Sequence, residues 1–229
     1  MSIILLLLRL PILVVHILVG LFTILFFPKE PKNFKNSHYR IMMLWMNILS
    51  SILGIKVDIR GIPDQSANLF VSNHVTYLDI IIINKLLPVN FIAKEEISSW
   101  PVIGRLASKT GTLFIKRGDN VESSKMIYEM EERFKLQNKI VFFPEGKIGN
   151  GKRVRKFHYK LFKSIGNREL YIQPIAIRYP TGYPINNNYS EIISDKSLKG
   201  EMFSLYLKFL MRRRSHVILI FLDKVSTRD

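Results

Sequence analysis

Two side chains have the types and the separation of a proton-transfer pair: His74 and Asp79, in the run Ser72-Asn73-His74-Val75-Thr76-Tyr77-Leu78-Asp79. An imidazole changes charge near neutral pH. A carboxylate on one ring nitrogen fixes the tautomer and supports the imidazolium, while the other nitrogen takes a proton from a substrate hydroxyl. Five positions apart on an ideal helix, the two would sit about 140° apart around the axis. They can meet only if His74 lies before or at the helix start and Asp79 reaches back. The spacing also recurs by chance, and its plain alternative is a capping Asn or His at a helix start. The chain has no cysteine, which excludes disulfides, thiolate catalysis and cysteine zinc sites, and its five histidines show no metal-ligand spacing. The pair reads as a general-base dyad without a protein nucleophile.

Two further groups could handle an anion. Lys116-Arg117 directly follows an apolar run, and a guanidinium there suits bidentate recognition of phosphate oxygens. A solvated basic pair before Gly118 is the alternative. Phe143-Pro144-Glu145-Gly146 ends another apolar run, with Pro and Gly predicting a tight turn that exposes Glu145 and lets backbone amides approach a phosphate.

The elements that must position these groups are short β-branched runs alternating with helical stretches. Strands are predicted at Val57–Arg60, Asn68–Val71, Asn90–Ala93, Thr112–Ile115, Ile140–Phe143, Tyr171–Ile177 and Val217–Leu222. Helices are predicted at Tyr77–Leu86, Val102–Lys109, Val121–Leu136 and Leu198–Arg213, with a loop over residues 180–189. The alternation predicts an α/β class, a mixed sheet covered by flanking helices. Each candidate group falls where a strand ends, the edge at which α/β folds place their chemistry. Pro174 inside its run predicts an edge strand or a strand start.

Upstream, Leu10 to Phe27 holds 18 residues without a formal charge, reaching roughly 27 Å as a helix against about 30 Å of hydrocarbon. Ile41, Leu44, Trp45, Ile48, Leu49 and Ile52 then recur at steps of three and four, one face of a second helix. A two-helix membrane anchor over residues 1–55 is expected, dipping into one leaflet or spanning it, followed by an α/β domain over residues 56–229. The alternative for the second helix is a buried face of that domain. A cleaved signal peptide is not expected, because no basic residue precedes the apolar residues, which begin at Ile3 with only Arg9 interrupting, and small residues are missing at the exit. Lys29, Lys32, Lys35 and Arg40 follow the run and place the domain at the cytoplasmic face of the cell membrane.

Lys and Arg outnumber Asp and Glu by 34 to 18, a formal charge of +16, so anionic partners are expected. A hydrophobic fraction of 48% sets lipid ahead of nucleic acid, whose binders keep cations on polar surfaces. Nine Lys or Arg against one acid between Lys139 and Arg168 suit an anionic leaflet, or else a solvated face.

Taken in order, these segments resemble the lysophosphatidic acid acyltransferases of the glycerolipid acyltransferase superfamily. Asn73-His74 with Asp79 resembles the family's catalytic His-x4-Asp block, and Phe91 to Glu96 with Trp100 to Gly104 is similar to the segment that follows it. Gly111 to Arg117 matches the second block, Phe143 to Gly146 the core of the third, and Gln173 to Ile177 the fourth. The resemblance implies catalysis by His74 and Asp79. It also implies substrate binding at Asn73, Gly111, Phe114, Lys116, Arg117, Glu145, Gly146 and Lys147. The implied reaction moves an acyl group from acyl-CoA or acyl carrier protein to 1-acyl-sn-glycerol-3-phosphate, with no cofactor and no metal. One departure bears on the acceptor. Lys147-Ile148-Gly149 stands where the third block commonly continues Thr-Arg, leaving Lys147, Lys152, Arg153 or Arg155 to supply the charge. Lyso-ornithine lipid and glycerol-3-phosphate remain alternative acceptors, and a non-catalytic lipid-binding scaffold is the rival from another class.

Overall fold

Short apolar runs, continuous over residues 69–71, 113–115 and 140–142 and alternating in others, make the strands, and the computed structural model pairs them into one sheet. It describes residues 2–116, 120–149, 154–165, 169–180 and 206–227. In chain order the elements are α1 (Ile3–Thr23), α2 (Asn36–Ile52), β1 (Ile55–Arg60), β2 (Leu69–Ser72), α3 (Leu78–Asn84) and β3 (Val89–Lys94). Then come α4 (Glu95–Ser98), α5 (Ile103–Lys109), β4 (Leu113–Ile115), α6 (Asn120–Lys135) and β5 (Lys139–Phe142). A 3-10 turn (Tyr159–Ile165), β6 (Tyr171–Arg178), β7 (Ser215–Phe221) and β8 (Val225–Ser226) follow. The seven expected strands are present. The fourth expected helix falls largely outside the described residues, of which 206–210 are helical.

The sheet runs β1-β7-β6-β2-β5-β3-β4, with β8 beside the start of β6. From β6 to β4 all neighbours are parallel, whereas β7 and its parallel partner β1 run the other way. All five parallel strands therefore end at one edge, where His74 follows β2. One face carries the main core, with Phe70, Val89, Val141, Ile175, Ile177 and Leu219 packed against α2 and α3. The other carries Leu69, Leu113, Ile140 and Phe142 against Met126, Met130 and Phe134 of α6.

Pro174 lies in β6, a central strand, not at an edge or a start. Its register partner in β7's extension is Leu222, whose amide donates to Pro174 O at 3.0 Å. Proline has no N–H to return that bond. The neighbouring Gln173 side chain supplies it instead: its Nε2 donates to Leu222 O at 3.0 Å and to Ile62 O at 2.9 Å, and its Oε1 accepts from the Asp64 amide. A side-chain amide thus replaces the missing ladder donor.

Among the described residues one helix is long and apolar enough to cross a membrane, Ile3–Phe26 counting its final 3-10 turn, and only 11% of its most apolar window is buried. Leu7, Leu8, Leu18, Phe22, Leu25 and Phe26 are exposed along it. The helix begins before the uncharged run and includes Arg9, whose guanidinium donates to the carbonyls of Leu210, Arg212 and Arg213, while the Ser2 amide donates to Met211 O. Residues 211–214 precede β7, beyond the level where β6 ends, so the start of α1 is tied to the His74 edge. Midway, Gly20 packs beneath Trp45 of α2, which stacks on His16 at 4.5 Å. The expected second anchor helix is less clearly one. α2 buries Tyr39, Met42 and Leu49 and holds the end of α3 through Lys85 Nζ on Ser50 Oγ at 3.2 Å, and of its large hydrophobic side chains only Ile41, Leu44 and Ile48 are exposed.

Candidate active site

The turn that carries the dyad is shaped by two demands. Val75 and Leu78 are buried, and Ile81, Ile82 and Ile83 bury α3 against the sheet, at about 1.5–3 kcal/mol for each large aliphatic side chain. That packing puts Asp79 in the first turn of α3 with no exposed surface. A buried carboxylate is costly unless hydrogen-bonded. Asp79 is bonded on both oxygens. Oδ2 accepts from the Val75 amide at 2.6 Å, the Thr76 amide at 2.9 Å and His74 Nδ1 at 2.8 Å, and Oδ1 accepts from Tyr179 Oη at 2.7 Å.

An ionised carboxylate only accepts, so opposite it a neutral His74 ring carries its proton on Nδ1 and its lone pair on Nε2. Nε2 has no bonded partner among the described residues, and the side chain keeps 13% of its surface exposed. Phe143 stacks on the imidazole at 4.0 Å and 12°, forming one wall and restricting ring rotation. His74 lies ahead of α3 and Asp79 reaches back to it, the only arrangement that the five-residue spacing allows.

A family model described as Acyltransferase matches residues 55–178, more than half of the chain, from the first residue of β1 to the last of β6. The chain belongs to the acyltransferase family. The matched span contains the whole constellation just described except Tyr179, one residue beyond its end. The acyltransferase is 35% identical over 180 residues to a lyso-ornithine lipid O-acyltransferase of Pseudomonas aeruginosa, covering 75% of this chain and 69% of that one. It is 30% identical over 147 residues to a 1-acyl-sn-glycerol-3-phosphate acyltransferase of Neisseria gonorrhoeae, covering 63% and 57%. It spans about half the length (49%) of a Rhodobacter capsulatus relative also named lyso-ornithine lipid O-acyltransferase. The crystal structure of the 1-acyl-sn-glycerophosphate acyltransferase from Thermotoga maritima superposes with a TM-score of 0.65, covering 99% of this chain and 86% of that one. At 17% identity that likeness shows the fold, a mixed α/β sheet with flanking helices.

The other candidate residues of this acyltransferase fall into distinct places. Asn73 spends its amide on β6: Nδ2 donates to Ile177 O at 2.9 Å and Oδ1 accepts from Ile177 N at 2.7 Å, which fixes the residue before His74. Phe114 and Lys116 sit at the edge shared with His74. Lys116 is exposed, and the three strand spacings between β2 and β4 put it about 14 Å across the edge. Gly111 is near the other edge. It packs on Asn90, level with Leu69, roughly 16 Å back along the strands from His74. Its φ of 87° and a Cβ position only 2.6 Å from Asn90 Nδ2 require glycine there.

In the third block the Phe143–Gly146 turn forms as expected, closed by the Gly146 amide on Phe143 O at 2.9 Å with φ of 66° at Gly146. Glu145, however, is buried, because the following segment folds back over it: the Arg155 amide donates to Glu145 Oε2 and the His158 amide to Pro144 O. Lys147 is exposed, Ile148 half-buried, and the Gly149 amide donates to His74 O at 2.6 Å, so this segment borders the dyad directly. Arg117, Lys152 and Arg153 lie outside the described residues. Tyr179 is the residue that sequence reasoning missed. It continues the alternation of Gln173, Ile175 and Ile177 on one side of β6, and a polar tip on that side at the strand's end was the available signal.

Proposed function

We propose that this acyltransferase moves a fatty acyl group from a thioester, acyl-CoA or an acyl carrier protein, to the free hydroxyl of a lysolipid at a membrane surface. The observation that carries this reading is the His74 ring, held through Nδ1 by a fully buried Asp79, with Nε2 unbonded among the described residues and 13% of the side chain exposed. Nε2 takes the hydroxyl proton as the oxygen attacks the thioester carbonyl. The ester forms, the C–S bond breaks, and the departing thiolate takes the proton from the imidazolium. Acyl transfer from a thioester is downhill and needs no nucleotide. General-base assistance of this kind typically contributes about 10²- to 10⁴-fold.

The acceptor of first expectation is 1-acyl-sn-glycerol-3-phosphate, supported by exposed Lys116 at the site edge and by relatives of that name. One observation favours lyso-ornithine lipid: in the segment against His74, half-buried Ile148 stands where the third block commonly has an arginine. Relatives named for that acceptor agree.

The membrane part rests on α1. Its apolar side is exposed, while Arg9 and Ser2 tie its start to residues 210–213, and Phe27 and Phe34 pack with Tyr39 near its end. Held at both ends, α1 lies in one leaflet with its beginning at the same edge as His74, where a lysolipid reaches the site without leaving the bilayer. The basic residues after α1 support the cytoplasmic face of the cell membrane as the side on which that surface works.

The test is purified protein in detergent with labelled acyl-CoA and acyl carrier protein donors, offered 1-acyl-glycerol-3-phosphate, lyso-ornithine lipid and glycerol-3-phosphate. A single acylated product identifies the acceptor. No transfer to any of them, with all donors, would leave the lipid-binding scaffold.

A further inference from the structure

We propose that Tyr179 is a positioning residue of the acyl-transfer site, acting on His74 through the carboxylate of Asp79; this rests on the reading of His74 as the base. Asp79 is fully buried and its two oxygens are loaded unequally. Oδ2 takes the imidazole and two amides from its own turn. Oδ1 faces away from that turn, and its donor is the Tyr179 hydroxyl at 2.7 Å, brought from 100 residues along the chain by β6. Without that hydroxyl, Oδ1 would be a buried carboxylate oxygen with no other donor among the described residues, and the carboxylate would be free to pivot about its remaining contacts.

The attachment is double. Asn73, immediately before His74, clamps both backbone groups of Ile177, and Tyr179, two residues further on and just past the end of β6, holds Asp79. The end of β6 thus grips the catalytic turn on both sides of His74, fixing the plane of the carboxylate relative to the ring. The same bond bears on the chemistry. When the imidazolium forms, Asp79 must stay ionised, and a donor on Oδ1 stabilises the charged form. Tyr179 is half-buried against the main core, so its ring also packs. The inference concerns the hydroxyl alone.

Tyr179→Phe keeps the ring and removes that hydroxyl. Measured with whichever donor and acceptor give product, kcat should fall about 10- to 100-fold, the range for one hydrogen bond to a buried charge, with KM for both substrates unchanged. A double-mutant cycle identifies the route: in an Asp79→Asn background, adding Tyr179→Phe should change kcat less than about twofold. Wild-type kcat in Tyr179→Phe, a loss seen in KM alone, or a full loss repeated in the Asp79→Asn background would overturn the proposal. So would loss of folding by circular dichroism in Tyr179→Phe while Asp79→Asn remains folded, since the hydroxyl would then serve stability. His74→Ala run alongside separates the two claims: if it retains activity the base reading fails, and if it is inactive while Tyr179→Phe is normal only the role of Tyr179 fails.

Discussion

Asp79→Asn is the substitution whose consequence follows most closely from the geometry. Asparagine has the shape of the carboxylate it replaces. Its oxygen, placed where Oδ2 lies, still accepts from the Val75 and Thr76 amides, and its NH₂ group meets Tyr179 Oη, which turns to accept. The hydrogen-bond inventory survives, so the melting temperature should move little. What disappears is the negative charge opposite the imidazolium formed during proton transfer. With charge centres about 4 Å apart and an effective dielectric near 20, that attraction is about 4 kcal/mol, or roughly three decades in rate. Since the charge pair exists only once the proton has moved, the loss belongs in kcat and not in KM. Continuous detection of the released thiol, with donor and acceptor varied separately, resolves the two parameters. A kcat within tenfold of wild type would refute the argument, as would a loss confined to KM.

Gly111→Ala separates packing from chemistry. A Cβ at φ of 87°, pressed on Asn90 Nδ2, should cost about 1–3 kcal/mol and lower the melting temperature by several degrees, with kcat at low temperature unchanged; a selective rise in acceptor KM would instead restore Gly111 to the binding site. Arg9→Met leaves the exposed apolar side of α1 intact, so vesicle binding should persist, while amide hydrogen exchange over residues 2–10 rises as the contacts to residues 210–213 are lost. Unchanged exchange there would show that the clasp does not hold α1 to the domain.

How much of this was legible in the sequence depends on range. Strands such as Phe91-Ile92-Ala93 and Ile140-Val141-Phe142 declare themselves by local composition, and their predicted limits fall within two residues of those observed. The order β6-β2-β5-β3 is set by pairings between distant segments and has no local signature. Pro174 misled because the rule for proline concerns its own missing N–H, whereas the remedy comes from the side chain of Gln173, whose partners are 49 and 111 residues away. Glu145 misled in the same way: a Pro-Glu-Gly turn exposes its middle residue unless later chain folds over it, and residues 154–158 do. The geometry of His74 and Asp79 was legible because helix periodicity alone excludes every arrangement but one. Tyr179 was not, since its meaning lies in the 100 residues that separate it from Asp79.

The central claim is that His74 Nε2 removes the proton from the acceptor hydroxyl. The direct measurement is the single-turnover rate of ester formation by folded, membrane-bound His74→Ala, with saturating donor and acceptor. A fall of at least about 10²-fold with substrate affinities preserved is the predicted result. Ester formation at the wild-type rate would contradict the account.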